Sequence, residues 1–223
     1  MKILCVIPAR GGSKGIEKKN IRKINNKPLI AYTIESTLSS KLFDDVIVST
    51  DDKEIAEISE SYGAKVPFIR PSDLAQDDAT SDQAILHAVL EMQKLGSEYD
   101  VVVLRDCTVP FIDINDMKNM LDLFRESDCN AVFGAIRAHP NPYFGMMECG
   151  DDGFLIPSKT LEKETTRRQD APIVYDVDGI FILDNKNFLK TKKIFSGKIL
   201  PYEISKEHGH MIDFEFDFRV AEL

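Results

Sequence analysis

The strongest constraint on the fold of this chain is an alternation that runs from its start to about residue 136. Short apolar runs, each long enough for a buried strand, are separated by segments whose apolar residues recur at helical spacing. Residues 2–8, Lys-Ile-Leu-Cys-Val-Ile-Pro, predict a strand buried on both faces that empties into a loop rich in Gly, Lys and Asn. From Pro28 to Leu38, Leu29, Ile30, Tyr32, Ile34 and Leu38 trace one helix face, with proline at the first turn. Val46–Val48 reads as the next strand. Thr50 to Glu54 supplies cap residues and an acidic first turn for a helix that Gly63 closes. Lys65–Ile69 predicts a strand, Thr80–Leu95 a capped helix, Val101–Leu104 a strand, Asp113–Arg125 a helix and Ala131–Ile136 a strand. Such alternation implies an α/β fold with a mostly parallel sheet flanked by helices. In these sheets ligands bind beyond the carboxyl ends of the strands, which selects the loops at 9–20, 49–52 and 105–110.

Between about 137 and 175 the alternation lapses into Pro, Gly and charged residues, as expected of a hairpin-bearing insertion that serves as a dimer arm. Strand signals return at Gly179–Leu183 and Ile199–Tyr202, and an amphipathic segment spans Phe214–Leu223. The 223 residues, 43% hydrophobic and 29% charged, are enough for one folded domain across residues 1–223 and argue against disorder. The net charge of -9 disfavours a protein that grips nucleic acid or anionic lipid. The opening apolar run is too short for a signal-peptide core, and no stretch of about 18 apolar residues follows, so a cytoplasmic location is expected. Cys5, Cys107, Cys129 and Cys149 form no C-x-x-C pair and are read as reduced thiols.

The whole-chain charge hides a local reversal. Residues 10–27 hold seven basic side chains, Arg10, Lys14, Lys18, Lys19, Arg22, Lys23 and Lys27, against the single acid Glu17, leaving 21 basic and 36 acidic residues elsewhere. The loop is thus +6 and the remainder -15. Gly11, Gly12 and Gly15 allow backbone amides to approach an anion there. A solvated lysine loop is the plain alternative, but a position directly after the first strand favours a polyphosphate cradle. The segment is neither G-x-x-x-x-G-K-[ST] nor G-x-G-x-x-G, which sets aside a P-loop ATPase and a dinucleotide dehydrogenase.

Ile7-Pro8-Ala9-Arg10-Gly11-Gly12-Ser13-Lys14-Gly15, then Lys19-Asn20-Ile21 and Lys27-Pro28-Leu29-Ile30, resemble the opening of the acylneuraminate cytidylyltransferases. The similarity continues through Val48–Asp51, Arg70-Pro71, Leu74-Ala75, Ala79-Thr80-Ser81, Arg168-Gln169-Asp170 with Gly179, and Ile212-Asp213 to Ala221-Glu222. It implies a Rossmann-like nucleotidyltransferase fold and transfer of CMP from CTP to the anomeric hydroxyl of a nonulosonic acid. A magnesium or manganese ion would neutralise the phosphates, and a homodimer is implied. By the same resemblance Arg10, Ser13, Lys14, Lys19 and Asn20 would hold the triphosphate within a loop that includes Ala9 and Gly12. Ala79 and Ser81 would contact cytosine, while Arg168 and Gln169 would hold the acidic acceptor. Arg10, Lys14, Lys19 and Asp213 would carry the catalytic work.

Each has a plainer reading: Ser81 as a helix cap, Arg168 as part of the charged surface stretch Lys163–Arg168, and His87 as a packed helix residue. Asn141, within His139–Phe144, either shapes the acceptor pocket or packs a hairpin. Three positions depart from the family pattern. Asp106 stands where a glutamine is usual and would serve as a cation ligand or a loop cap. Met211 stands in place of the first aspartate of an Asp-x-Asp metal pair, leaving Asp213, with Asp106, as the expected metal ligands. Asp178 replaces the asparagine before Gly179 and would meet a hydroxyl, an amine or the cation of the acceptor site. Two other readings stay open: a same-fold enzyme for a 3-deoxy-octulosonate or a sugar phosphate, and a non-catalytic nucleotide-sugar binding protein.

Overall fold

A computed structural model describes residues 1–12, 15–76, 78–162 and 166–223. Its centre is a six-stranded sheet of β1 (Ile3–Pro8), β4 (Asp45–Ser49), β5 (Val101–Arg105), β6 (Ala131–Arg137), β9 (Tyr175–Asp184) and β10 (Ile199–Glu203), in the order β10-β6-β9-β5-β1-β4. All its neighbouring pairs are parallel except those that β9 makes with β5 and β6, so one strand runs against the other five. Two small hairpins stand apart, β2 (Lys23–Ile24) with β3 (Lys27–Pro28), and β7 (Met147–Cys149) with β8 (Leu155–Pro157). The second lies inside the predicted 137–175 insertion.

The apolar runs form strands because both faces are covered. Ile3, Cys5 and Ile7 pack toward α1 (Leu29–Ser40), α2 (Lys53–Ser61) and α4 (Ile114–Glu126), while Leu4 and Val6 pack toward α3 (Ser81–Lys94) and α5 (Asn185–Thr191). Helix starts follow the cap chemistry. The Asp52 carboxylate accepts the amides of Glu54 and Ile55 at 2.7 and 3.2 Å, and Thr80 and Gln83 form a reciprocal capping box. The cap of α3 is therefore Thr80, which removes the cap reading of Ser81. A third cluster, Ile16, Ile24, Leu29, Ile212 and Phe218, seats α6 (Glu215–Ala221) against the first hairpin.

Three features differ from the sequence reading. Lys65–Ile69 is not a strand: Lys65 alone bridges Ile47, and Pro67 has no amide to extend a ladder. Asn25 and Asn26, both at positive φ (48° and 67°), make the tight connection of the β2–β3 hairpin within what reads as a loop. Helix α5, with only Asn185 and Phe188 buried, is too short and polar to show a period. The four cysteines are unpaired, as expected. Among the described residues no helix is long and apolar enough to cross a membrane.

Gly179 sits midway along the reversed strand with φ +79°, and a Cβ there would stand 2.7 Å from Ile112 Cδ1 and 3.0 Å from Val109. Both the backbone conformation and the space demand glycine. Gly179→Ala is expected to cost about 2 kcal/mol or more, measured as a lower urea midpoint with an unchanged denaturant slope.

Candidate active site

The carboxyl ends of β1 and β5 open on one cleft of about 540 Å³. Its wall carries Arg10, Gly15, Lys19 and Asn20 from the basic loop, Arg70 to Gln76 in part, Ala79 to Ser81, Asp106 to Thr108, and Asp213 with Phe214. Because β9 is antiparallel, Ile180 pairs with Arg105 and Asp178 arrives at the same end of the sheet. Six expected residues besides Arg10 thus gather here: Lys19, Asn20, Ala79, Ser81, Asp106 and Asp213. Ala9 lies beneath, buried, its amide donating to the Ser49 carbonyl at 3.0 Å. Gly12 is exposed beside the cleft with nothing near its Cβ direction. Ser13 and Lys14 lie outside the described residues.

Lys19 joins the two ends of the chain: its ammonium donates to Asp213 Oδ1 and to the Ile212 carbonyl, each at 2.9 Å. Gly15 approaches the Asp213 carbonyl so closely that a Cβ would stand 2.9 Å from it. Asp213 is oriented from behind by Asp217, whose carboxylate accepts the amides of Asp213 (2.9 Å) and Phe214 (2.7 Å). Asn20 braces the floor, its amide donating to the Arg10 carbonyl (2.9 Å) while its oxygen accepts the Cys107 thiol (3.1 Å). Burial pushes that thiol far up, so Cys107 stays protonated and unreactive. Met211, at the position of the missing aspartate, packs against the main core.

Sequence reasoning passed over two arginines. Arg70, 4% exposed, faces Asp51 at 3.7 Å and lines the cleft; burial pulls its guanidinium down and Asp51 partly restores it. Its signal was an arginine closing an apolar segment before Pro71. Arg105, the last residue of β5, is fully buried; burial lowers its guanidinium to about 10. Asp106 Oδ1 accepts the amide and the hydroxyl of Thr108 at 2.8 and 2.9 Å, so it does cap its loop while facing the cleft.

Asp106, Asp178 and Asp213 act on one another. Burial first, then the charges of Asp106 and Asp213, raise the Asp178 carboxyl to about 6, against a donor bond from the Gly179 amide. Hard oxygen donors crowded at strand ends beside a cationic loop suit a divalent cation bound jointly with phosphates. Among the described residues no three such side chains form a complete chelate on their own.

The remaining expected acceptor residues lie elsewhere. Arg168, Gln169 and Asn141 line a second cavity of about 550 Å³ at the base of the arm, with Arg137, Glu203 and Lys206. Arg168 donates to the His139 carbonyl and lies over the Phe144 ring, and Asn141 donates to the Pro172 carbonyl at 2.9 Å. Asn141 and the aromatics therefore pack the arm, as the plainer reading has it, while also bounding this cavity.

Residues 4–221 match the cytidylyltransferase family, and the chain belongs to it. It is 42% identical over 222 residues to a pseudaminic acid cytidylyltransferase of Campylobacter jejuni, covering 97% of this chain and 94% of that protein. It is 34% identical to the CMP-N,N'-diacetyllegionaminic acid synthase of Campylobacter jejuni, covering 100% and 94%. Its fold matches a CMP:2-keto-3-deoxy-manno-octonic acid synthetase solved with CTP, at 16% identity and a TM-score of 0.72 over 100% of this chain and 97% of that one. The nucleotidyltransferase fold and enzyme class expected from the sequence are thereby established, and the non-catalytic reading falls away.

The raised Asp178 carboxyl has a thermodynamic consequence. The folded protein holds this proton more tightly than the unfolded chain, so ionising it above pH 6 costs stability that is intact below about pH 4. Asp178→Asn is expected to stabilise the fold by about 1–2 kcal/mol at pH 7.5, an advantage that shrinks as the pH falls through 6. A difference that does not vary with pH in denaturant melts would contradict this account.

Proposed function

We propose that this protein transfers CMP from CTP to the anomeric hydroxyl of a nonulosonic acid and releases pyrophosphate. The observation that carries the reading is that one cleft gathers the cations Arg10 and Lys19 with the carboxylates Asp106 and Asp213, Lys19 bonded directly to Asp213. A triphosphate needs cations for its charge, and its displacement needs positioning more than covalent help. Arg10, Lys19 and, from the same loop, Ser13 and Lys14 would grip the phosphates, with Ala9, Gly12 and Asn20 shaping the backbone around them. Ala79 and Ser81, at the start of α3, line the same cleft and would meet cytosine. Arg70, nearly buried and aimed at Asp51, adds fixed positive charge to its wall.

Asp106 and Asp213 would hold magnesium or manganese, which when bound supplies charge neutralisation for the phosphates and the leaving pyrophosphate. Asp178 would accept a bond from a hydroxyl or amine of the acceptor, or face the cation. In the second cavity Arg168, supported by Gln169 and Asn141, offers a guanidinium to the acceptor's carboxylate. The named relatives favour a pseudaminic or legionaminic type of acceptor. CTP as substrate also favours work in the cytoplasm.

CTP and Mg²⁺ offered with a panel of nonulosonic acids should release pyrophosphate with at least one of them. Release only with a 3-deoxy-octulosonate or a sugar phosphate would replace this reading. Asp213→Ala should lower kcat/KM by about 100-fold or more; near wild-type turnover at low Mg²⁺ would remove Asp213 from the cation site.

The same proposal includes a homodimer through the arm. Phe154, Leu155 and Ile156 stand exposed on and beside the β7–β8 hairpin, where a soluble monomer gains nothing from them. Light scattering should give twice the chain mass, falling to one when residues 147–157 are replaced by a short turn; an unchanged mass would assign the contact elsewhere.

A further inference from the structure

Arg105 is 0% exposed, yet its charge meets carbonyl dipoles rather than a bonded carboxylate. One terminal nitrogen donates to the carbonyls of Asp106 (2.8 Å), Val109 (2.7 Å) and Gly179 (3.1 Å), the other to that of Pro110 (3.4 Å). Its Nε is buried with no partner at all. Burying a guanidinium is costly, and a partly satisfied one more so. A methionine of similar reach would fill the space without that cost. The carboxylates whose charge acts on Arg105 are those of Asp106, which lines the cleft with Asp213, and Asp178, next to the Gly179 whose carbonyl Arg105 holds. Their backbones are joined as well, Asp106 N donating to the Gly179 carbonyl at 2.8 Å. One buried cation therefore ties the loop after β5 to the middle of the reversed β9, the two segments that carry Asp106 and Asp178.

We propose that Arg105 is a positioning residue: its guanidinium is the resident counter-ion of Asp106 and Asp178 and keeps the loop after β5 and the middle of β9 in place when no divalent cation is bound. A cleft that must receive a metal-bound triphosphate has to exist beforehand, with its acids close together and mutually repelling. Arg105 supplies from below the positive charge that substrate and cation later supply from above. This rests in part on the reading of Asp106 and Asp213 as a cation site; the role of Asp178 in it does not.

The test is thermal unfolding of the full chain without nucleotide, in EDTA and in millimolar MgCl₂, for wild type, R105K, R105M, D178N and R105M/D178N. Wild type should melt at nearly the same temperature in both buffers. R105M should melt about 5–10 °C lower in EDTA, and magnesium should recover a third or more of that loss. R105K keeps the charge while losing part of the carbonyl cradle, so its smaller loss should be equal in both buffers. D178N should raise the melting temperature of R105M by more than it raises that of wild type. If R105M is recovered folded only from magnesium, the proposal stands; if it is insoluble in both buffers, R105M/D178N must fold, and failure of that variant overturns the proposal. Equal losses in both buffers together with additive D178N increments would make Arg105 a space-filling residue and also overturn it. Coupling to D178N without a magnesium effect would uphold the counter-ion and retire the cation site. A magnesium effect without coupling would leave Asp106 alone as the partner and overturn the pair.

Discussion

The contact on which the cleft depends is the one between Lys19 and the chain segment at Ile212 and Asp213. It joins residues separated by almost the whole sequence and is only partly exposed to solvent, where an ion pair with a second bond to a carbonyl is worth more than a surface pair. Through it the basic loop after β1 is laid against the start of α6. Gly15 is thereby pressed onto the Asp213 backbone, and Phe218 is drawn into the small cluster that holds the first hairpin. Without that closure the loop would be a lysine-rich excursion in solvent, and Asp213 would have no fixed relation to the strand ends.

The distribution of charge follows the same logic. The acidic body of the molecule keeps polyanions in general at a distance. Positive charge gathers at one place, where Gly15, Lys19, Arg10 and the nearly buried Arg70 line the cleft and buried Arg105 lies at the end of β5. The three aspartates are not excess charge spread over a surface: they are held by Asp217, by Thr108 and by the Gly179 turn. Each is held by a hydrogen bond to a residue one to four positions further along the chain.

Much of this was legible in the residues. Strands buried on both faces and helices with capped starts announce themselves by period, and two of the three loops that period selects, after β1 and after β5, line the cleft, while the third, at 49–52, only faces its lining residue Arg70 through Asp51. Strand direction is not written in the period: the apolar run at Gly179–Leu183 looks the same whether parallel or antiparallel, and only its partners decide. Lys65–Ile69 has the composition of a strand, but Pro67 stops the ladder and lets the chain turn so that Arg70 reaches the cleft. Arg105 reads as the polar residue ending a strand, since nothing local tells a terminal arginine that solvates from one that folds inward onto four carbonyls. Asp106, Asp178 and Asp213 were each singled out, yet Arg168, Gln169 and Asn141 came to rest at another cavity. Their position depends on the path of a long irregular segment, which no spacing rule encodes.

The reversed strand also governs how the molecule can vary. Because β9 is antiparallel to β6, the chain leaves the sheet at Arg137 and re-enters at Tyr175 as its direct cross-strand partner. Departure and return are a single rung of the ladder, so whatever lies between hangs from two adjacent points and transmits no geometry to the strand ends. Loop closure grows only slowly in cost with length. The sheet therefore treats residues 138–174 as a socketed attachment: hairpins of different size and surface can be exchanged there while the cleft at the ends of β1 and β5 stays as it is.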